Sequence, residues 1–172
     1  MSFLARSVLY IALALVVAAA VHVASVFYLP DLIMMRVMAK VGGRDNTMLH
    51  APRPTEASRA VVRPSPDLLY STCVYDLSRA GGRLRVHASG MPDTYWSVSA
   101  FDAHTDNFFV LDDRHAKAGR FDITLAAPGA AHPGDITSPT ARGIILVRTL
   151  IDDDTHLARI DAARRHASCE PA

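Results

Sequence analysis

The sequence predicts a mainly β fold, an antiparallel β-sandwich or half-barrel with a C-terminal helix, preceded by one N-terminal transmembrane helix. Three features of the 172 residues predict it. The first thirty residues hold a long uncharged apolar run. From Ala60 the hydrophobic pattern changes to a period of two, with turn signals at short spacing. The last segment carries apolar residues at helical spacing.

The apolar run, Ser7 to Leu29, reads "SVLYIALALVVAAAVHVASVFYL", and no Asp, Glu, Lys or Arg lies between Arg6 and Asp31. At about 1.5 Å per residue, a helix of that length crosses a hydrocarbon core of roughly 30 Å. Tyr10 at one end and Phe27-Tyr28 at the other suit the two interfaces, and Pro30 with Asp31 marks the expected exit. Small residues at Ala18 to Ala20 have the spacing of a signal-peptide cleavage site, but the run continues past them. That favours a retained anchor.

"DLIMMRVMAKVGG" reads as a separate short helix that starts at Asp31 and stops at Gly42-Gly43, packing on the domain as a stalk. Gly42 to Arg59 reads as an extended linker. The expected organisation is therefore an anchor over 1–30, a juxtamembrane helix and linker over 31–59, and a β-rich domain with its helix over 60–172. Six strands are expected, at Leu68 to Leu77, Arg83 to Ser89, Thr94 to Asp102, Asn107 to Asp113, Arg120 to Pro128 and Gly143 to Ile151. "RAGG", Arg79 to Gly82, has the look of a hairpin turn. "DDTHLARIDAARRHA" reads as the terminal helix, capped by Asp153 or Asp154, with Leu157, Ile160 and Ala163 as its stripe.

All seventeen acidic residues and seventeen of the eighteen basic ones follow the span, so the rest of the chain is formally neutral. Nucleic-acid binding calls for a basic excess or stripe, and neither is present. The sequence also lacks a nucleophile elbow, a phosphate-cradling glycine loop and a dinucleotide fingerprint. Cys73 and Cys169 permit one disulfide in an oxidising compartment. Their settings read instead as a buried strand residue and a loose tail, "ASCEPA".

Pro64 and Pro66 hold "RPSPDLLYS" extended, which places Asp67 and Tyr70 at the mouth of the first strand. Together with Arg63 they form the candidate catalytic set: a carboxylate as acid or base, and a guanidinium to hold an anionic substrate. Asp102 and Asn107 join them as candidate binding residues. Asp102, His104 and Asp106 alternate, so an extended chain would place all three on one side, as a weak candidate for a metal site. No cofactor is expected.

"VVRPSPDLLYSTCVYDLS", followed by "YWSVSAFDAHTDNFFVLDDR", resembles the signature of the family called domain of unknown function 1254. Its members carry an Asp-x-x-Tyr-Ser element ahead of an Asp-Leu, then an aromatic strand ending in Asp, and then an Asn. The resemblance covers about Asn46 to Ile151, and many members have Asn where this chain has Ser65. The matching polar residues are Arg63, Asp67, Tyr70, Ser71, Asp76, Tyr95, Asp102 and Asn107.

The resemblance implies a β-rich fold and no established reaction. Longer relatives continue into a second module, domain of unknown function 1214, which implies a separately encoded protein carrying that module as a partner. An apolar seam would serve it, with Phe108 and Phe109 pointing to opposite sides of their strand and Tyr75 and Phe101 facing away from the core. The resulting expectation is a single-pass protein of a bacterial inner membrane, in contact with the bilayer through its helix, with a periplasmic binding or interaction module. An envelope enzyme built on Arg63, Asp67 and Tyr70 is the alternative. Arg36, Lys40 and Arg44 follow the span, so charge counting alone would favour a cytoplasmic domain. The resemblance points the other way.

Overall fold

The computed structural model describes residues 2–41, 43–59, 62–116 and 118–172. Gly42, expected to stop a helix, and Ala60, expected to open the β domain, lie outside the described residues. The elements in chain order are α1 (Phe3–Val41), β1 (Leu49–His50), β2 (Leu68–Asp76), β3 (Arg83–Ala88), β4 (Trp96–Phe101), β5 (Asn107–Asp112) and β6 (Phe121–Ala126). They are followed by β7 (Ile136–Thr137), β8 (Arg142–Leu150), a 3₁₀ turn (Asp154–His156), α2 (Leu157–Arg164) and β9 (Ser168–Pro171).

α1 is one continuous helix of 39 residues with Pro30 inside it, so the expected break into an anchor and a separate helix at Asp31 is corrected. Proline removes one backbone hydrogen bond and crowds the preceding turn, yet its φ fits a helix. The turns beyond it gain from staying helical. Met34, Val37 and Met38, spaced to share one face, seat on Val74, Ile144 and Phe101. Met34 is 5% exposed, and burying such a side chain contributes about 1.5–3 kcal/mol. The apolar part of α1 is exposed throughout, and the helix is long and apolar enough to cross a membrane.

Two sheets stack as a sandwich. One runs β1-β2-β8-β4-β5 and the other β7-β6-β3-β9. Every pairing is antiparallel except β6 with β7, which is parallel. Period-two alternation decides which side chains enter the gap between sheets. Cys73, Val98 and Ile145 come from the first sheet, and Leu84, Val86 and Leu125 from the second. Trp96 and Phe121 meet across the gap with ring centroids 5.5 Å apart. "RAGG" is not a hairpin. Gly81 and Gly82, both at positive φ, carry the chain from β2 in one sheet to β3 in the other.

Tyr75 is fully buried and faces the core, contrary to the sequence expectation, and its hydroxyl lies 2.9 Å from Ser138 Oγ. Burial pushes the phenol pKa up. Its register partner is Gly143; a Cβ there would lie 2.1 Å from the Phe101 carbonyl oxygen and 2.5 Å from the Tyr75 hydroxyl. Phe108 and Phe109 do not split between faces either. Ala100 pairs with Phe109 and Phe101 with Asn107, so Phe108 is the extra residue of a bulge, and both rings pack on the main core. Phe101 does face outward, where α1 covers it.

Cys169 lies in β9, paired with Val86 of β3, and is bonded to Cys73 across the two sheets with a Cα–Cα distance of 6.5 Å. The loose-tail reading is thus corrected: the tail is an edge strand, and both cysteines are buried in the core.

Candidate interaction site

The residues of the Asp-x-x-Tyr-Ser element hold the chain in place around β2. The Ser65 N–H donates to the Tyr70 hydroxyl at 3.0 Å, and the Asp67 N–H donates to Ser65 Oγ at 3.3 Å. The Asp67 carbonyl accepts the Ile151 N–H at 2.8 Å, tying the lead-in segment to the end of β8. Arg63 and Asp67 are exposed, and among the described residues no ion pair joins them.

Ser71 anchors a second network, under α2. Arg164 on α2 is fully buried, and each of its three guanidinium nitrogens donates a hydrogen bond. Nη1 donates to the Tyr70 carbonyl and to Ser71 Oγ, each at 2.9 Å. Nη2 donates to the Ala51 carbonyl at 2.6 Å and also contacts Asp161, to which Nε donates at 2.7 Å. Burial lowers the Arg164 pKa while the Asp161 carboxylate opposes that shift. Burial pushes Asp161 up, but hydrogen bonds from Arg165 and Arg164 hold it below the usual carboxylate range.

Ser71 Oγ, which accepts from Arg164, also lies within hydrogen-bond distance of His50 Nδ1, at 2.9 Å. Burial, then the charges of Arg164 and Arg165, lower the His50 pKa and favour the neutral ring. A serine beside a histidine resembles a nucleophile and its base. Here the serine is fully buried, and its hydroxyl is held between Arg164 and His50, which fix the fold.

Asp102 and its neighbours shape the turn between β4 and β5. Asp102 is buried, and its Oδ1 accepts the N–H groups of His104 at 2.8 Å and Asp106 at 2.9 Å. His104 turns away and bonds through Nδ1 to Asp31 of α1. That hydrogen bond, then the Asp31 charge, raises the His104 pKa. Asp102, His104 and Asp106 therefore do not converge, and among the described residues no cluster of three His, Cys, Asp or Glu could hold a metal. Asn107 is exposed at the start of β5, opposite Phe101.

A groove of about 420 Å³ runs between the lead-in segment and α2, with Leu69 and Leu157 on its apolar side. Its charged rim is internally neutralised, since Arg53 pairs with Asp154 at 2.7 Å and Arg165 with Asp161 at 2.9 Å. None of the candidate catalytic, binding or metal residues lines it. The sequence marked Ser71 but missed His50 and Arg164, because the partners that define them lie 21 and 93 residues away along the chain.

A β-sandwich held to an apolar helix by Met34 and the Asp31–His104 contact, with its marked polar groups engaged in turns and braces, is the class of protein this structure defines. The profile of the family described as "Protein of unknown function (DUF1254)" matches residues 46–171, and the chain belongs to that family. No curated protein matches the chain. Among solved structures, the VPA0106 protein from Vibrio parahaemolyticus is similar with a TM-score of 0.63 at 12% identity, over 86% of this chain and 36% of its own. An uncharacterised protein from Burkholderia cenocepacia is 16% identical with a TM-score of 0.49, over 83% of this chain and 39% of its own. This chain thus spans little more than a third of the length of either. The Vibrio likeness establishes the fold alone.

Proposed function

We propose that this is a single-pass protein of a bacterial inner membrane that holds its β domain in the periplasm as a non-catalytic interaction module. The observation that carries this reading is the seating of the domain on the last turns of its own apolar helix, through Met34 and the Asp31–His104 bond. A domain fixed so close to the span is placed to meet partners at the same membrane. The Cys73–Cys169 bond supports an oxidising compartment. Tyr70 and Asp102, candidate site residues in the sequence, and Ser71 of the family signature all engage their polar groups in braces and turns. The partner in this reading is a separately encoded protein carrying the second module of the longer relatives.

Paired reporter fusions at the C-terminus test the placement. Alkaline phosphatase should be active there and a cytoplasm-dependent fluorescent reporter dark; the reverse pattern would place the domain in the cytoplasm and end this reading.

A further inference from the structure

Arginines set the starting point. The fold takes four of them at least partly out of water, and Arg53, Arg83 and Arg164 each meet an aspartate. Among the described residues Arg148 has no carboxylate partner. It lies on the outer face of the five-stranded sheet, between Tyr70 of β2 and Ser97 of β4 in register. Its Nη2 donates to Ser99 Oγ at 3.2 Å. Its Nε and the neighbouring Ser97 Oγ are both buried and have no hydrogen-bond partner, and Ser97 is 1% exposed. An arginine that needed only water would leave Nε in water, because burying an unpaired donor is costly. Apolar residues share the face: Leu150, half-buried, two residues along β8, and Val110, 58% exposed on the edge strand β5, the register partner of the Ser99 that accepts from Arg148.

We infer that this face, centred on Arg148, is the docking surface for a protein segment that presents a carboxylate flanked by apolar side chains. The surface continues an interface already in place, since α1 covers Val74, Ile144 and Phe101 on the same face. A planar, permanently charged fork with apolar neighbours is the residue type that anchors such contacts. A lipid phosphate fits the position poorly. Arg148 lies four residues along β8 from Ile144, about 13 Å beyond the helix contact, on the side away from the β4–β5 turn where Asp31 leads into the apolar part of α1. A second copy fits less well too, because Asp112, the carboxylate in the same row, is engaged by His115 at 2.6 Å. In the Vibrio protein a fold of this kind is about a third of a longer chain, so the fold occurs beside further protein. This inference rests on the tethered-module reading and names the surface that it uses.

The test places a photo-reactive benzoylphenylalanine at Val110 or Leu150 in the full chain, in native membranes, with Thr124 on the outer face of the other sheet as control. The expected result is a crosslink from Val110 and Leu150, absent at Thr124, to one protein segment containing Asp or Glu. Its yield should fall about tenfold or more in Arg148→Glu and return when that carboxylate is replaced by arginine. Arg148→Gln, checked for an intact disulfide, serves if the glutamate variant does not fold. Adducts to lipid alone, to a second copy, equally at Thr124, unchanged by either variant, or none at all would overturn the inference. The reporter fusions keep the two readings separate: a wrong face leaves them unchanged, whereas a misplaced domain reverses them.

Discussion

Replacing Arg164 by alanine should destabilise the β domain by about 3 kcal/mol. The figure follows from what each acceptor keeps. The Tyr70 carbonyl still accepts the Ala51 N–H at 3.0 Å, and Asp161 retains Arg165. The Ala51 carbonyl loses the 2.6 Å bond from Nη2, and Ser71 loses the donor that orients it toward His50. A buried polar group left unsatisfied costs about 1–3 kcal/mol, and the space vacated by a fully buried side chain adds to that. The sum falls at the low end of the roughly 3–5 kcal/mol seen when a buried pair is broken by removing one partner. For a domain of this size it corresponds to a fall in Tm of about 10 °C. Arg164→Lys should recover less than half of the loss, because three donors on a flexible stem cannot reach acceptors arranged for a planar fork. Trp96, the single tryptophan and 1% exposed, supplies the assay: its emission should shift to the red on unfolding of the full chain in detergent. An Arg164→Ala protein that melts within about 3 °C of the parent would refute the clamp and the reasoning behind it.

Gly143→Ala should be more damaging than its size suggests, since the new Cβ meets the Phe101 carbonyl at 2.1 Å as well as the Tyr75 ring. Loss of the folded Trp96 emission or a sharp drop in yield of membrane-inserted protein would register this. Cys169→Ser should lower the same melting transition by an amount similar to Arg164→Ala or larger, as the bond closes a loop across 96 residues and such bonds typically contribute about 2–4 kcal/mol; reductant should shift the parent and leave the variant unchanged. His50 has a folded-state pKa below its ordinary value near 6.5. The unfolded chain therefore binds the extra proton first, and stability is present above about pH 6.5 and declines as pH falls below it. Melting between pH 7.5 and 5 should show a steeper acid loss for the parent than for His50→Asn.

The parts of this fold legible in the sequence were those with local periodicity. Leu84, Val86 and Ala88 alternate against Arg83, Arg85 and His87 over β3, and all three apolar residues are buried. The three shortest strands, β1, β7 and β9, have two to four residues, too few for a period to show. Long-range geometry hid the rest. "RAGG" has hairpin chemistry but joins two sheets, because β8 and not β3 takes the place beside β2. One inserted residue turns Phe108 and Phe109 to the same core. Arg164, in a helix with a weak apolar stripe, resembles any solvated arginine until Ala51 and Tyr70 are brought to it. Tyr70 and Asp102, named from the sequence as candidate site residues, hold a lead-in segment and a turn.

The central claim is a β domain carried on its own retained membrane helix in an oxidising compartment. Intact mass of the chain purified from membranes under non-reducing conditions, with free thiols alkylated, tests it most directly. The account predicts a species that retains the helix from its first turn, two hydrogens lighter than the reduced chain and unalkylated until reductant is added. A chain that starts near Val21, or one that takes up two alkyl groups without reduction, would contradict it.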